Sequence, residues 1–346
     1  SSMSPETRSD PEPVRLAVVG AGAWGSVLAW LLARRGHRVA LWTRDAGRAA
    51  RWARDRDDPR GRAPVALPDG VAPTASLSQA LDEVAGAFVA VPTAALEGTL
   101  ALLRQALPPG APLVSCAKGL FAPDLTRPGR RIELALPTSP VVALSGPNLA
   151  GEIAAGLPAA ATVAARDPHV AQLVQGWIAS ERFRVYTADD PIGVEVAGAY
   201  KNVIALAAGM ADALGLGENA KAALITRGLS ETVRLGRHLG GHERTFYGLA
   251  GVGDLVATCA SRASRNHAAG ERLARGETVA TLQEEGLTAE GLGTVRAVDA
   301  YAERHGLILP IAEQVAAVAF AGRPADQALA ALLARDPRDE FEARRR

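Results

Sequence analysis

The sequence predicts an α/β protein, with an N-terminal Rossmann-type parallel-sheet domain over residues 14–190 and an all-helical C-terminal domain over residues 191–335. Three observations predict it. Short apolar, β-branched runs alternate with helical patterns through the first half, as expected for a parallel sheet with helices on both faces. A Gly-x-Gly-x-x-Gly run, Gly20 to Gly25, ends the first predicted strand and opens the first helix. From Pro191 onward no strand pattern recurs, and long helical periodicities take over.

The elements follow in order. Residues 14–19 form the first predicted strand, 24–35 the first helix, closed by Gly36, and 38–42 the second strand. Residues 54–69 are rich in charge, proline and glycine and read as a loop. Apolar runs at 87–91, 112–115, 141–144, 160–164 and 182–186 read as further strands, with helices between them such as 94–106 and 168–180. Asp189, Asp190 and Pro191 mark the domain boundary, because Asp followed by Pro starts a helix well. Helices are then predicted over 192–214, 218–238, 291–305, 311–319 and 325–334.

The 346 residues are enough for two buried cores. Hydrophobic residues make up 48% and charged residues 22%, an ordinary globular balance. A formal net charge of +1, without basic, aromatic-studded strands, argues against a nucleic-acid partner. The arginines at 344–346 read as a solvated tail. Cys116 and Cys259 are isolated, so no disulfide framework is expected. Residues 1–13 are polar and hold no signal-type apolar stretch. No apolar run nears the ~18 residues a bilayer span needs. The expected location is the cytoplasm, without membrane insertion. His238 and His242 are four apart, but Gly240 and Gly241 intervene and no zinc-helix glutamate accompanies them, so no metal is expected.

In the run Gly20-Ala21-Gly22-Ala23-Trp24-Gly25, the first glycine makes the tight turn. The second lets the backbone approach a pyrophosphate, and the third packs helix against strand. The helix start then offers unpaired N–H groups and a positive dipole end to phosphates. An ordinary glycine-rich turn is the competing reading. Its placement between strand and helix favours a dinucleotide site. Where an NAD enzyme places an acid at the end of the second strand, this chain has Thr43, followed by Arg44 and Asp45. A guanidinium suits a 2′-phosphate. The expected cofactor is NADP or NAD, with NADP slightly preferred. In the other reading Arg44 is a surface residue and Asp45 serves NAD.

Three further clusters carry candidate chemistry. Ser115-Cys116-Ala117-Lys118-Gly119 follows a strand, at the sheet edge where ligands bind, and Lys118 there is either a ligand or a surface lysine. Ser145-Gly146-Pro147-Asn148-Leu149-Ala150 also follows a strand and reads equally as a plain turn. Gly198-Ala199-Tyr200-Lys201-Asn202 lies in a long apolar helix, where a lysine is costly unless paired, functional or snorkelling. Desolvation would lower its pKa and suit it to proton transfer. Downstream, Asp254 can orient an ammonium or cap a helix, and Ser264-Arg265-Asn266 can hold a phosphate or lie on the surface.

Together these segments resemble the bacterial NAD(P)-dependent glycerol-3-phosphate dehydrogenases. The matching runs, in family order, are GAGAWG at 20–25, SCAKG at 115–119, SGPNLAGE at 145–152, GAYKN at 198–202, AGVGDLVATC at 250–259, SRN at 264–266 and AEG at 289–291. The resemblance implies reversible reduction of dihydroxyacetone phosphate to sn-glycerol 3-phosphate, feeding phospholipid synthesis. It implies Lys201 as proton donor and acceptor, with Asp254 and Lys118 completing the catalytic set. Substrate contacts implied are Lys118, Gly146, Asn148, Lys201, Asn202, Asp254, Ser264, Arg265 and Asn266, with Thr258 positioning Asp254 and Lys201. Cofactor contacts implied are Gly20, Gly22, Ala23, Trp24, Gly25, Arg44, Lys118, Ala150, Arg265 and Glu290. The chain departs from many relatives at Thr93, where they carry Ser, at Phe121, where they carry Glu, and at Asn148, where they carry Ser or Thr.

Two other functions are compatible with the same architecture. One is a dehydrogenase of 3-hydroxy acids or a ketopantoate-like substrate, which needs a carboxylate site and no phosphate site. The other is a sensor that binds the dinucleotide without turnover and does not need Lys201. The expected partner is a small-molecule substrate, and the apolar helical domain offers a surface for a homodimer.

Overall fold

The computed structural model describes residues 12–333. Most of the polar start at 1–13, the arginines at 344–346, the last residue of the helix expected over 325–334 and the end of the domain expected over 191–335 lie outside the described residues. The first half runs β1 (Arg15–Val19), α1 (Ala23–Arg34), β2 (Arg38–Trp42), α2 (Ala46–Asp55), β3 (Val71–Thr74), α3 (Leu77–Leu81), β4 (Gly86–Val89) and α4 (Leu96–Ala106). It continues with β5 (Leu113–Ser115), α5 (Pro128–Ala135), β6 (Val141–Ser145), α6 (Ala150–Ala154), β7 (Ala159–Ala164), α7 (Pro168–Ile178) and β8 (Phe183–Ala188). The eight strands form one sheet in the order β3-β2-β1-β4-β5-β6-β7-β8. Helices cover both faces. Val27, Leu28, Ile153 and Val174 of α1, α6 and α7 pack on one face, and Leu81, Leu96, Leu103 and Ile132 of α3, α4 and α5 on the other.

Two features differ from the expected all-parallel sheet of seven strands. The eighth strand is β3, Val-Ala-Pro-Thr, preceded by α2, which reaches Asp55 inside the expected loop. Pro73 hides this strand from sequence reading, yet β3 lies at the sheet edge and pairs only with β2, where a missing N–H is tolerated. The second difference is that β7 runs antiparallel to β6, with Ser145 opposite Thr162. The connection between them holds only the five-residue α6, so the chain turns back rather than crossing over. Strand β8 is then parallel to β7 across α7.

From Pro191 the described chain is helical: α8 (Pro191–Ala213), α9 (Gly217–His238), α10 (Glu243–Phe246), α11 (Asp254–Ala260), α12 (Arg265–Ala274), α13 (Val279–Glu284), α14 (Glu290–His305), α15 (Pro310–Ala321) and α16 (Ala325–Leu333). Asp190 caps α8 by accepting the Gly193 amide at 2.9 Å, and Pro191 fits the first turn because its missing N–H would be unpaired there anyway. Helix α8 is the axis of this half. It is apolar on nearly every side because α9, α11, α12, α14 and α15 pack around it while its first turns lie against β6 and β7. Helices α10, α11 and α13 escaped sequence reading because at four to seven residues none is long enough to show periodicity, and the ten-residue α12 was marked only by the Ser264-Arg265-Asn266 run at its start. No helix among the described residues is long and apolar enough to cross a membrane.

Candidate active site

The glycine loop lies at the carboxyl end of β1. Gly20 has φ +113°, and a Cβ there would lie 2.8 Å from the Ala90 backbone. A Cβ on Gly25 would sit 1.8 Å from the Gly20 carbonyl oxygen, so only glycine lets α1 start this close to β1. Gly22 is different, since a Cβ there meets nothing within 4 Å. Its exposed backbone borders open space, and no side chain caps α1. That is the arrangement a dinucleotide pyrophosphate needs: bare amides at a helix start, with no side chain in front of them. We expect Gly25→Ala to lower the melting temperature, with a cost of about 1–3 kcal/mol from overpacking. Gly22→Ala should leave the apoprotein as stable as the parent and weaken dinucleotide binding. Calorimetry and titration of both variants would separate the two roles, and equal stability losses would refute them.

At the end of β2, Thr43 is buried and Arg44 is exposed, with no hydrogen bond or ion pair among the described residues. Asp45 is committed elsewhere. It caps α2 by accepting the Arg48 amide at 2.8 Å and pairs with Arg60. These contacts hold its carboxyl below the usual range, the Arg48 amide contributing most.

The second group lies where β5 and β6 end and α8 passes over them. Lys118, three residues beyond β5, donates to Asp254 Oδ2 at 2.7 Å and to the Gly146 carbonyl at 3.2 Å. Lys201, in the middle of α8, donates to Asp254 Oδ1 at 2.5 Å and to Thr258 Oγ1 at 2.6 Å. Asp254 thus bridges two ammonium groups. It is the first residue of α11, delivered by a π-helical turn over Leu249–Gly253, and Thr258 follows one turn later on the same face. Gly198 permits the crossing, because a Cβ there would approach Ser145 Oγ to 2.8 Å and Lys118 Cγ to 3.6 Å.

Burial sets the proton affinities. It pushes Lys201 down to about 8, against the opposing pull of Asp254 and with Lys118 adding to the depression. Burial pushes Asp254 upward, but the two lysines override it and leave the carboxyl below its ordinary value. The result is a carboxylate held ionised beside a lysine that can release its proton near neutral pH. Burial raises the Cys116 and Cys259 thiols to about 12, which removes both as nucleophiles.

A chain of amides ties this group to the helical half. Asn202 Nδ2 donates to the Lys118 carbonyl at 3.2 Å, Asn266 Nδ2 to Asn202 Oδ1 at 2.9 Å, and the Gly291 amide to Asn266 Oδ1 at 2.8 Å. Ser264 caps α12, accepting the His267 amide at 3.3 Å, and Arg265 reaches Thr288 Oγ1 at 2.8 Å. Glu290, at the start of α14, accepts the Thr93 amide at 2.8 Å across the two halves. Asn148 donates to the Ala160 carbonyl at 3.1 Å, and Ala150 opens α6. Ala23 and Trp24 begin α1, while Arg44 makes no contact with the lysine–aspartate group. Buried Thr93 Oγ1, Ser115 Oγ, Ser145 Oγ and Asn148 Oδ1 have no hydrogen-bond partner among the described residues. Of these, Ser145 Oγ lies beside Gly198 of α8 and Thr93 Oγ1 beside Gly119, next to Lys118. Thr288 and Ser145 were not among the candidate residues. Ser145 was visible at the head of its motif, whereas nothing local marked Thr288.

The model for the N-terminal part of NAD-dependent glycerol-3-phosphate dehydrogenase matches residues 15–171, and that for the C-terminal part matches residues 190–330. The chain belongs to this family. It is 48% identical over 329 residues to a glycerol-3-phosphate dehydrogenase (NAD(P)+) of Thermus thermophilus, covering 94% of this chain and all of that protein. It is 44% identical over 331 residues to one of Gloeobacter violaceus, covering 94% and 99%. The crystal structure of glycerol-3-phosphate dehydrogenase from Coxiella burnetii superposes with a TM-score of 0.89 at 34% identity, over 94% of this chain and all of that one. Family membership accounts for the pairing of a dinucleotide loop with a buried lysine some 180 residues away in sequence.

Proposed function

We propose that the protein catalyses reversible NAD(P)H-dependent reduction of dihydroxyacetone phosphate to sn-glycerol 3-phosphate, in the cytoplasm, with the product passing to glycerophospholipid synthesis. The observation that carries this reading is Lys201, buried in α8 and bonded to both Asp254 and Thr258. In the family reading, the unit at 14–190 binds the cofactor and that at 191–335 binds the substrate. The glycine loop would hold NAD(P)H by its pyrophosphate, and the bound cofactor would supply the hydride that the ketone carbon needs. As charge develops on the ketone oxygen, the Lys201 ammonium donates its proton there, and in the reverse direction the neutral amine takes it back. Asp254 holds Lys201 in place and, through Lys118, keeps a second positive charge at the site. Thr258 fixes the lysine's third direction.

The substrate phosphate is assigned to Ser264, Arg265 and Asn266 at the start of α12. A helix N-terminus, a guanidinium and short polar side chains suit its oxygens there. Binding energy from this remote group holds the ketone for reaction. Asn148, Gly146 and Asn202 line the rest. On the cofactor side, Ala23, Trp24, Ala150 and Glu290 are assigned to the dinucleotide. Exposed Arg44 is assigned to a 2′-phosphate, since Asp45 is occupied as a helix cap. A homodimer through the helical half completes the proposal.

The test is NADPH and NADH absorbance with dihydroxyacetone phosphate. Oxidation by the parent protein supports the reading. Absence of oxidation in folded protein that binds either cofactor defeats it, and turnover of a ketopantoate-like acid instead would replace it. Arg44→Ala should raise KM for NADPH about ten-fold and leave KM for NADH nearly unchanged, the loss of one charged hydrogen bond. Equal effects on both cofactors would remove Arg44 from this role.

A further inference from the structure

Helix α2 carries three arginines, Arg48, Arg51 and Arg54, and is capped by Arg56, and of the four only Arg48 is buried. Its guanidinium makes a bidentate pair with Asp58, Nε to Oδ1 and Nη2 to Oδ2, each at 2.8 Å. It also lies over the Trp52 ring, 4.6 Å from the centroid. The same Nη2 donates to the carbonyl oxygen of Ala21 at 2.8 Å. Ala21 lies between Gly20 and Gly22 in the dinucleotide loop.

A trans peptide points its carbonyl and its N–H in opposite directions. The Ala21–Gly22 peptide is trans, the one cis bond among the described residues being Ala122–Pro123. A carbonyl drawn to Arg48 therefore turns the Gly22 amide to the opposite side, and Gly22 itself is exposed. Asp58 is itself immobilised, since it also accepts the amides of Arg62 at 2.9 Å, Ala63 at 3.0 Å and Arg60 at 3.2 Å. Those amides anchor Arg48 to the segment after α2, so the carbonyl is held by a fixed donor. We propose that Arg48 and Asp58 are a positioning pair that sets the Gly22 amide for the dinucleotide pyrophosphate.

The pair has no net charge, so its contribution is orientation rather than attraction. Both cofactors share the pyrophosphate and depend on it equally. Isothermal titration of NADH and NADPH tests this with Arg48→Lys, Asp58→Asn and the volume-conserving double substitution Arg48→Met with Asp58→Met. The double variant leaves no unpaired buried charge and keeps the fold measurable. We expect the double variant to raise the Kd of both cofactors about ten-fold or more, in equal measure, the loss of one charged hydrogen bond to the loop. The apoprotein melting temperature should change by only a few degrees, and KM for dihydroxyacetone phosphate should stay at the parent value. Unchanged affinity in a folded double variant overturns the proposal. So does a loss confined to NADPH, which would place Arg48 at the 2′-phosphate. Unfolding of all three variants also overturns it, because the pair would then be a folding determinant.

Discussion

Lys201→Ala is expected to lower kcat for dihydroxyacetone phosphate reduction by about 10³-fold or more, the combined size of a lost proton donor and a lost charge at the oxygen. The fold should survive, because Asp254 retains Lys118 at 2.7 Å and no buried carboxylate is left alone. The cofactor Kd should not move, since Lys201 lies on α8 and not in the glycine loop. The pH profile of the parent protein gives an independent check. Reduction uses the ammonium, so its rate should fall as pH rises through about 8, while glycerol 3-phosphate oxidation uses the amine and should rise over the same interval. Single-turnover measurement of both directions reads this. A Lys201→Ala protein with more than a tenth of parental kcat would remove the lysine from the chemistry.

Asp254→Asn is the second large effect, and it acts on both lysines together. Asp254 is almost fully buried and is the acceptor for both Nζ atoms. With the carboxylate gone, two ammonium groups remain with no counter-ion between them. Breaking a buried pair of this kind costs on the order of 3 kcal/mol, partly recovered when a lysine gives up its proton. Asp254 is also what pulls the Lys201 value upward against burial. Its loss should therefore move the descending limb of the reduction profile to lower pH and cut kcat at neutral pH by about 10²-fold. Thermal melts and pH–rate profiles on one preparation test both parts. An unshifted limb would show that Asp254 does not govern the lysine's proton.

Much of the site can be traced to local sequence because local chemistry requires it. Gly20 and Gly25 are constrained by a turn and a helix contact, backbone demands that only glycine meets, whereas Gly22 is open in the apoprotein and answers only to the proposed approach of a pyrophosphate. Asp190 and Pro191 start α8 by their own side chains. A lysine in an apolar helical run marks a cation that is either buried and partnered or snorkelling, and the structure buries it. Local chemistry leaves Ser264, Arg265 and Asn266 open between a phosphate site and a surface stretch, because short polar residues at helix starts are common everywhere, and Glu290 carries no local signal beyond the family resemblance.

Other features depend on distant segments. Strand β3 exists because β2 offers an edge that tolerates Pro73, and the direction of β7 follows from a short connection after Ser145. Arg48 looks like its exposed neighbours until Asp58 and the Ala21 carbonyl are placed around it.

From its sequence alone this protein has its two-part α/β plan, read from periodicity along the chain, its dinucleotide loop, imposed within a few residues by turn geometry, and a lysine set in an apolar helix. The tertiary structure alone decided that Lys118 and Lys201 share Asp254, a residue 136 and 53 positions away from them. That meeting depends on the packing of α8 between the sheet edge and α11, and a contact between segments so far apart leaves no periodic trace in the chain.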